Sequence, residues 1–224
     1  MVVTVTIRSK GNDVQVEHDI LFGTTNPRKF AHIDVIAKAL PIRLLAPSQL
    51  GLDVQVDESG ALPEENARLK AEAFCRVAQM PTLALDSGLF LDGLADHQQP
   101  GVHVRRVNGV TLSDEAMVDH YVQIIRDLGG RATGSWVTAL AVALPDGRTN
   151  HIAVRHRTQF TADACQERTP GNPLNSLQIN GRTGRYKAQE PPKEAASDQS
   201  SNSFEAQVRR LLLGTIAMLE GEER

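Results

Sequence analysis

Cysteine is scarce in this chain of 224 residues: Cys75 and Cys165 are the only two. That excludes a disulfide framework and leads us to expect free thiols in a reducing, cytoplasmic compartment. No sign of charge dominates either, since 24 Lys and Arg against 27 Asp and Glu leave a formal charge of -3. Nucleic-acid binders usually carry a basic face, so no nucleic-acid partner is expected, and any anionic ligand must be met by local cations. Long apolar runs are missing. The longest, "LLLGTIAML" near the carboxyl end, is about half of a membrane span. The opening "VVTVTI" lacks the basic start and apolar stretch of a signal peptide. A soluble protein with no membrane partner is therefore expected. What is present is 41% hydrophobic residues, enough to bury a sizeable core in a single domain over 1–224 with two lobes.

Along the chain, apolar and polar residues alternate on both sides of a Lys-Gly-Asn turn, which predicts an extra amino-terminal hairpin over about 1–18. An apolar strand over 20–23 follows. Phe30, Ile33, Ile36, Ala37 and Leu40 then recur at helical spacing, predicting a helix over 27–40 with Pro27 in its first turn. The junction "FGTTNPRKF" is thus a strand-to-helix turn, where free backbone N–H groups and a positive dipole end suit an anion, with Arg28 and Lys29 adding charge. It lacks the glycines of a Walker loop, and taken alone it also fits a solvated helix start. A second helix begins at Pro63, with Glu64 and Glu65 on its positive end, Leu69, Ala73 and Val77 as its buried stripe, and Asn66 and Lys70 on another face. A strand over 82–85 runs into Asp86-Ser87-Gly88. This is either an ordinary turn or a carboxylate on rigid backbone, as a magnesium-bound polyphosphate requires. Arg105 and Arg106 point to opposite faces if extended. The last helix, 204–219, aligns Val208, Leu211, Leu212, Thr215 and Leu219 on its packed side and leaves Arg209 and Arg210 to solvent.

These pieces stand in an order that resembles the inosine triphosphate pyrophosphatase, or Ham1-like, family. Thr24, Asn26 and Lys29 match its Thr-x-Asn-x-x-Lys opening, "EENARLKA" its Glu-Asn-Ala helix, and "LDSGL" its Asp-Ser-Gly-Leu segment. "PGVHVRRVNG" is similar to its Pro-Gly-x-x-x-x-Arg run, with Arg106 as the family arginine, and "SWVTALAVALPDGR" to its central strand. Together these motifs cover roughly 20–148.

The resemblance implies an α/β fold in which an elongated, twisted mixed sheet with flanking helices forms two lobes around a nucleotide cleft. It implies a homodimer that hydrolyses a nucleoside triphosphate to a monophosphate and pyrophosphate with Mg2+. By the same resemblance, Thr24, Asn26 and Lys29 grip the triphosphate, Lys70 and Arg106 assist, and Ser87 and Gly88 offer donors. Glu65 and Asp86 are the catalytic acids: both hold magnesium and one of them, Asp86 ahead of Glu65, orients or deprotonates the attacking water. The carboxy-terminal third departs from the family. "RTPGNPL" carries Thr169 and Gly171 where aromatics are expected, and "KEAASDQ" keeps Lys193 as a binding residue but places Asp198 and Gln199 where the family has His-Arg. Leu85 stands where an acid usually precedes the catalytic aspartate. An altered base preference is therefore expected, the alternative being a nucleotide-binding paralogue with weak or no turnover. The segment around Lys193, rich in Pro, Ser and charge, reads as a loop or lid.

Overall fold

The computed structural model describes residues 18–191 and 203–221. The expected amino-terminal hairpin, apart from its last residue, and Lys193, Asp198 and Gln199 lie outside the described residues.

The first strand, β1 (His18–Phe22), lies between β2 (Ile42–Leu45) and β3 (Thr82–Leu91), parallel to both. That central place explains why Ile20, Leu21 and Phe22 are apolar in succession and fully buried: both faces of the strand are covered. Between β1 and β2 runs α1 (Pro27–Ala37), which stops short of the expected end at 40 although Leu40 is still buried. The helix α2 (Pro63–Ala78) leads into β3. A small hairpin, β4 (Arg106–Val107) and β5 (Val110–Thr111), precedes α3 (Asp114–Asp127). Two long antiparallel strands follow, β6 (Arg131–Ala143) and β7 (Thr149–Thr161), joined by the Pro-Asp-Gly turn read in the sequence. The short β8 (Gln178–Ile179) and α4 (Phe204–Glu220) complete the chain. The main sheet has the order β2-β1-β3-β6-β7-β8, parallel at one end and antiparallel at the other. The expected mixed α/β architecture is present. Beyond β8, which pairs only with Gln159 and Phe160, no described strand covers the outer edge of β7.

Three clusters hold the layers together. α1 and α4 pack on one face through Ile33, Ile36, Val208, Leu211 and Leu212 against Ile20, Phe22, Leu83 and Leu85. The packed side expected for the last helix is observed, with Thr215 fully buried among it. Past the middle of β3 and β6 a second core gathers Leu89, Leu91, Tyr121, Ile125 and Phe160. On the opposite face α2 presents Ala67, Ala71 and Cys75 to Ala84, Ala139, Ala141 and Ala143. This corrects the stripe expected for α2, because Val77 is 55% exposed and the residues turned to the sheet are the small Ala67, Ala71 and Cys75. Small side chains let the helix lie close on the sheet, so contact there follows shape more than hydrophobic bulk.

A second correction concerns the Asp86-Ser87-Gly88 step. It is not a turn: β3 continues through it to Leu91, paired with β6 residue for residue. Gly88 makes this possible, because Leu89 and Gly101 exchange backbone hydrogen bonds at 2.9 Å beside it. A Cβ at Gly88 would lie 2.8 Å from the Gly101 oxygen and 3.1 Å from Pro63 Cγ. Gly88→Ala is expected to cost about 2 kcal/mol, as overpacking against backbone does. Denaturant unfolding measures it, and an unchanged midpoint would show that Gly101 yields freely.

Candidate functional site

The turn after β1 is built by its own side chains. Asn26 is the cap of α1: its Oδ1 accepts from the amides of Arg28 at 3.0 Å and Lys29 at 3.2 Å, while Thr24 Oγ1 accepts from the Asn26 amide. The polar pattern Thr-x-Asn thus has a local structural use, satisfying the orphan donors of a helix start. Gly23 is needed because a Cβ there would meet the Phe74 ring of α2 at 2.8 Å, and that approach draws the turn toward α2.

Lys70, on α2, reaches across to β3. Its Nζ lies 2.7 Å from Asp86 Oδ1 and 2.7 Å from Glu58 Oε2. Asp86 stands on the face of β3 that meets α2, beside Ala84, and its side chain is 10% exposed. Its second oxygen, Oδ2, is buried and has no hydrogen-bond partner among the described residues. Lys29 belongs to the same group. Burial, then the Lys70 ammonium, hold its amine below the ordinary lysine range, with Asp86 and Glu58 pulling the other way. Two cations and two carboxylates therefore share one electrostatic neighbourhood at the meeting of α1, α2 and β3.

Glu58 was not singled out in the sequence. It lies on an irregular stretch before α2 without periodicity, and only its position in the fold gives it a partner. Glu65, expected at the metal, has another use: its Oε2 accepts from the amides of Ala61 at 2.7 Å and Leu62 at 3.1 Å, closing the start of α2. Helix geometry separates Glu65 from Lys70 by five residues of about 100° each, so the two do not share a face. A metal would find hard oxygen donors in Asp86 and Glu58, which already converge on one cation and include an unpartnered buried oxygen. That donor set fits magnesium, which takes one or two carboxylates and keeps its waters.

Ser87 alternates to the other face of the strand, where its hydroxyl meets Thr138 at 3.3 Å, so it is not gathered with Asp86. Gly88 shares the Asp86 face and serves close packing there. Arg105 and Arg106 both line a cleft of about 420 Å³ together with Glu58, Asn66 and His103. Arg105 is engaged by Asp114 at 2.8 Å. The Arg106 side chain has no partner among the described residues and is exposed to the cleft.

Known proteins resemble this chain in sequence and in fold. The Ham1 family model matches residues 20–159. A dITP/XTP pyrophosphatase of Rhodopseudomonas palustris is 32% identical over 140 residues, 61% of this chain, and the match spans 65% of that relative's length. A dITP/XTP pyrophosphatase of Bacillus subtilis is 28% identical over 138 residues, 60% of this chain and 67% of its own length. Among solved structures, the Staphylococcus aureus Ham1 protein superposes with a TM-score of 0.65 at 25% identity, covering 92% of this chain and 100% of that one. A Coxiella burnetii HAM1 protein shares the fold with a TM-score of 0.68 at 19% identity, over 92% of this chain and all of its own. With its turn, its α2 motif and its central strands all inside the matched residues, the chain belongs to the Ham1 family.

Proposed function

We propose that this chain hydrolyses a nucleoside triphosphate between its α and β phosphates, releasing a monophosphate and pyrophosphate. The observation that carries the reading is the Lys70–Asp86–Glu58 constellation with Lys29 beside it. The names of the relatives, dITP/XTP pyrophosphatases, support it. Asp86 and Glu58, rather than Glu65, would hold Mg2+, which when bound neutralises polyphosphate oxygens and lowers the pKa of water. Lys29 and Lys70 offset the charge of the triphosphate, and Thr24 and Asn26 fix the helix start against which it lies. Arg106 lines the cleft that Glu58 also lines. Asp86 Oδ2, which has no partner among the described residues, takes the proton of the attacking water as the water oxygen joins phosphorus and the anhydride oxygen leaves with pyrophosphate. A pure binding paralogue has no need of two carboxylates focused on one point, so the catalytic reading is favoured. On family likeness we also propose a cytoplasmic homodimer, a single functional unit over 1–224, and a binding role for Lys193.

Base preference follows from sequence. Asp198 offers only acceptors, and Gln199 one acceptor beside its amide donors, where a family His-Arg pair would donate to a 6-oxo purine. Pyrophosphate release with magnesium, compared across inosine, xanthosine, adenosine and cytidine triphosphates, is expected to favour the amino-bearing bases by about 1 to 3 kcal/mol, the cost of an unpaired buried polar group. Inosine triphosphate turned over tenfold better than the adenosine and cytidine substrates would refute the base reading. No pyrophosphate from any substrate would refute the enzyme.

A further inference from the structure

Residues 170–172 are held at once from the α1 turn and from the start of α3. From the α1 turn, Arg28 Nη1 donates to the Pro170 carbonyl and, in the amide orientation that satisfies both groups of Asn172, to the Asn172 side-chain oxygen at 3.2 Å. From the α3 side, Arg105 Nη2 donates to the Gly171 carbonyl at 3.4 Å, and the Gly171 amide donates to Asp114 Oδ2 at 2.8 Å. Arg105 and Asp114 are themselves paired at 2.8 Å. Gly171 has φ +77, a backbone state that side chains disfavour, and in it both its N–H and its C=O meet that pair. The Gly171 amide, and after it Arg105, hold the Asp114 carboxyl below the usual carboxylate range.

Exposed ion pairs of this kind are individually worth little. What distinguishes them is convergence: Arg28 and Arg105 lie 142 and 66 residues from the loop atoms they hold. Arg28 is part of the same turn as Asn26 and Lys29, and Arg105 lines the cleft beside Arg106. We propose that residues 170–172 are a spacer fixing the separation between the phosphate turn and the Arg106 wall, with Arg28, Arg105 and Asp114 as positioning residues for a nucleoside triphosphate held between them. The ligand in this proposal rests on the function proposed above; the mechanical coupling does not.

The coupling is read without ligand from amide exchange at Gly171 in the full chain. Arg28→Ala removes neither direct partner of Asp114, yet exchange at Gly171 is expected to accelerate about tenfold, because the two grips form one cooperative unit. Arg28→Lys, which keeps one donor, is expected to restore most of the protection. A Gly171 rate indifferent to Arg28→Ala overturns the spacer. The positioning role is read by calorimetry with a non-hydrolysable nucleoside triphosphate analogue and with inorganic tripolyphosphate. Arg28→Ala and Asp114→Ala are each expected to weaken the analogue about fivefold, and the double variant no more than the weaker single one. Asp114→Ala is expected to leave tripolyphosphate binding within about twofold, since it does not touch the phosphate turn. Losses that multiply to about 25-fold mean independent contacts and overturn the positioning role. If the unaltered chain binds neither ligand, the nucleotide reading falls, while exchange at Gly171 still decides the coupling.

Discussion

Asp86→Asn is expected to reduce pyrophosphate release about 1000-fold, about 4 kcal/mol of transition-state stabilisation, in a protein that still folds. The substitution is nearly isosteric and keeps an oxygen for Lys70, whose ammonium retains Glu58 at 2.7 Å. What disappears is the charge that would meet the metal and the oxygen, Oδ2, that would receive a proton. Steady-state rates with magnesium, alongside a thermal melt, measure both halves of the expectation. A variant keeping more than a tenth of the rate, a loss below about 1.4 kcal/mol, removes Asp86 from the chemistry.

Lys70→Met has the second large effect, and it appears in stability. In the folded chain the Lys70 ammonium, 13% exposed, is the cation between Asp86 and Glu58. Methionine keeps the length of the side chain and leaves two carboxylates facing each other without it. Removing one member of a buried ionic cluster costs about 3 to 5 kcal/mol. Here about 2 to 4 kcal/mol is expected, because the Glu58 side chain is 49% exposed and the neighbouring Lys29, relieved of repulsion from Lys70, offsets part of the loss. Magnesium should recover more stability in the variant than in the unaltered protein, since the ion no longer competes with a resident ammonium. Denaturant unfolding with and without magnesium gives the comparison. Equal stabilisation of both proteins by the metal would mean that these two carboxylates are not its ligands.

How much of this was legible in the sequence depended on the range of the interaction. The strand-to-helix turn was readable because Pro27 marks a helix start locally, whereas Asn26, matched in the sequence as a phosphate residue, is also the cap in the structure. The apolar side of α4 was readable because large residues recur at helical spacing. The buried face of α2 was not, since Ala67 and Ala71 carry little hydrophobic signal and are buried by shape against alanines of β3 and β6. Lys70 and Asp86 were singled out from motifs 16 residues apart, and the structure brings them into contact. Glu65 was legible as a ligand only through the helix motif it belongs to, and its Oε2 also closes the first turn of that helix, whereas Glu58 carries no periodic signal and gains its partner only in the fold. Asp86 was read as a strand end because Ser-Gly favours turns, whereas the close approach of Gly101 at Gly88, a tertiary fact, keeps the strand extended.

The margin of β7 past β8, along which no described strand lies, bears on how this protein behaves when crowded. The edge of a sheet is in general a template on which another molecule's strand can assemble into aggregates. Over that margin the chain reads His-Ile-Ala-Val-Arg-His-Arg, and Arg155 and Arg157 are exposed. If two copies met edge to edge in antiparallel register about His156, each Arg155 would stand opposite the other copy's Arg157. Like charges set directly across a ladder destabilise it. Arg157 is only partly neutralised by its exposed pairing with Asp92, so the two guanidinium groups keep the margin hydrated and turn away the ribbon growth that its backbone would otherwise invite.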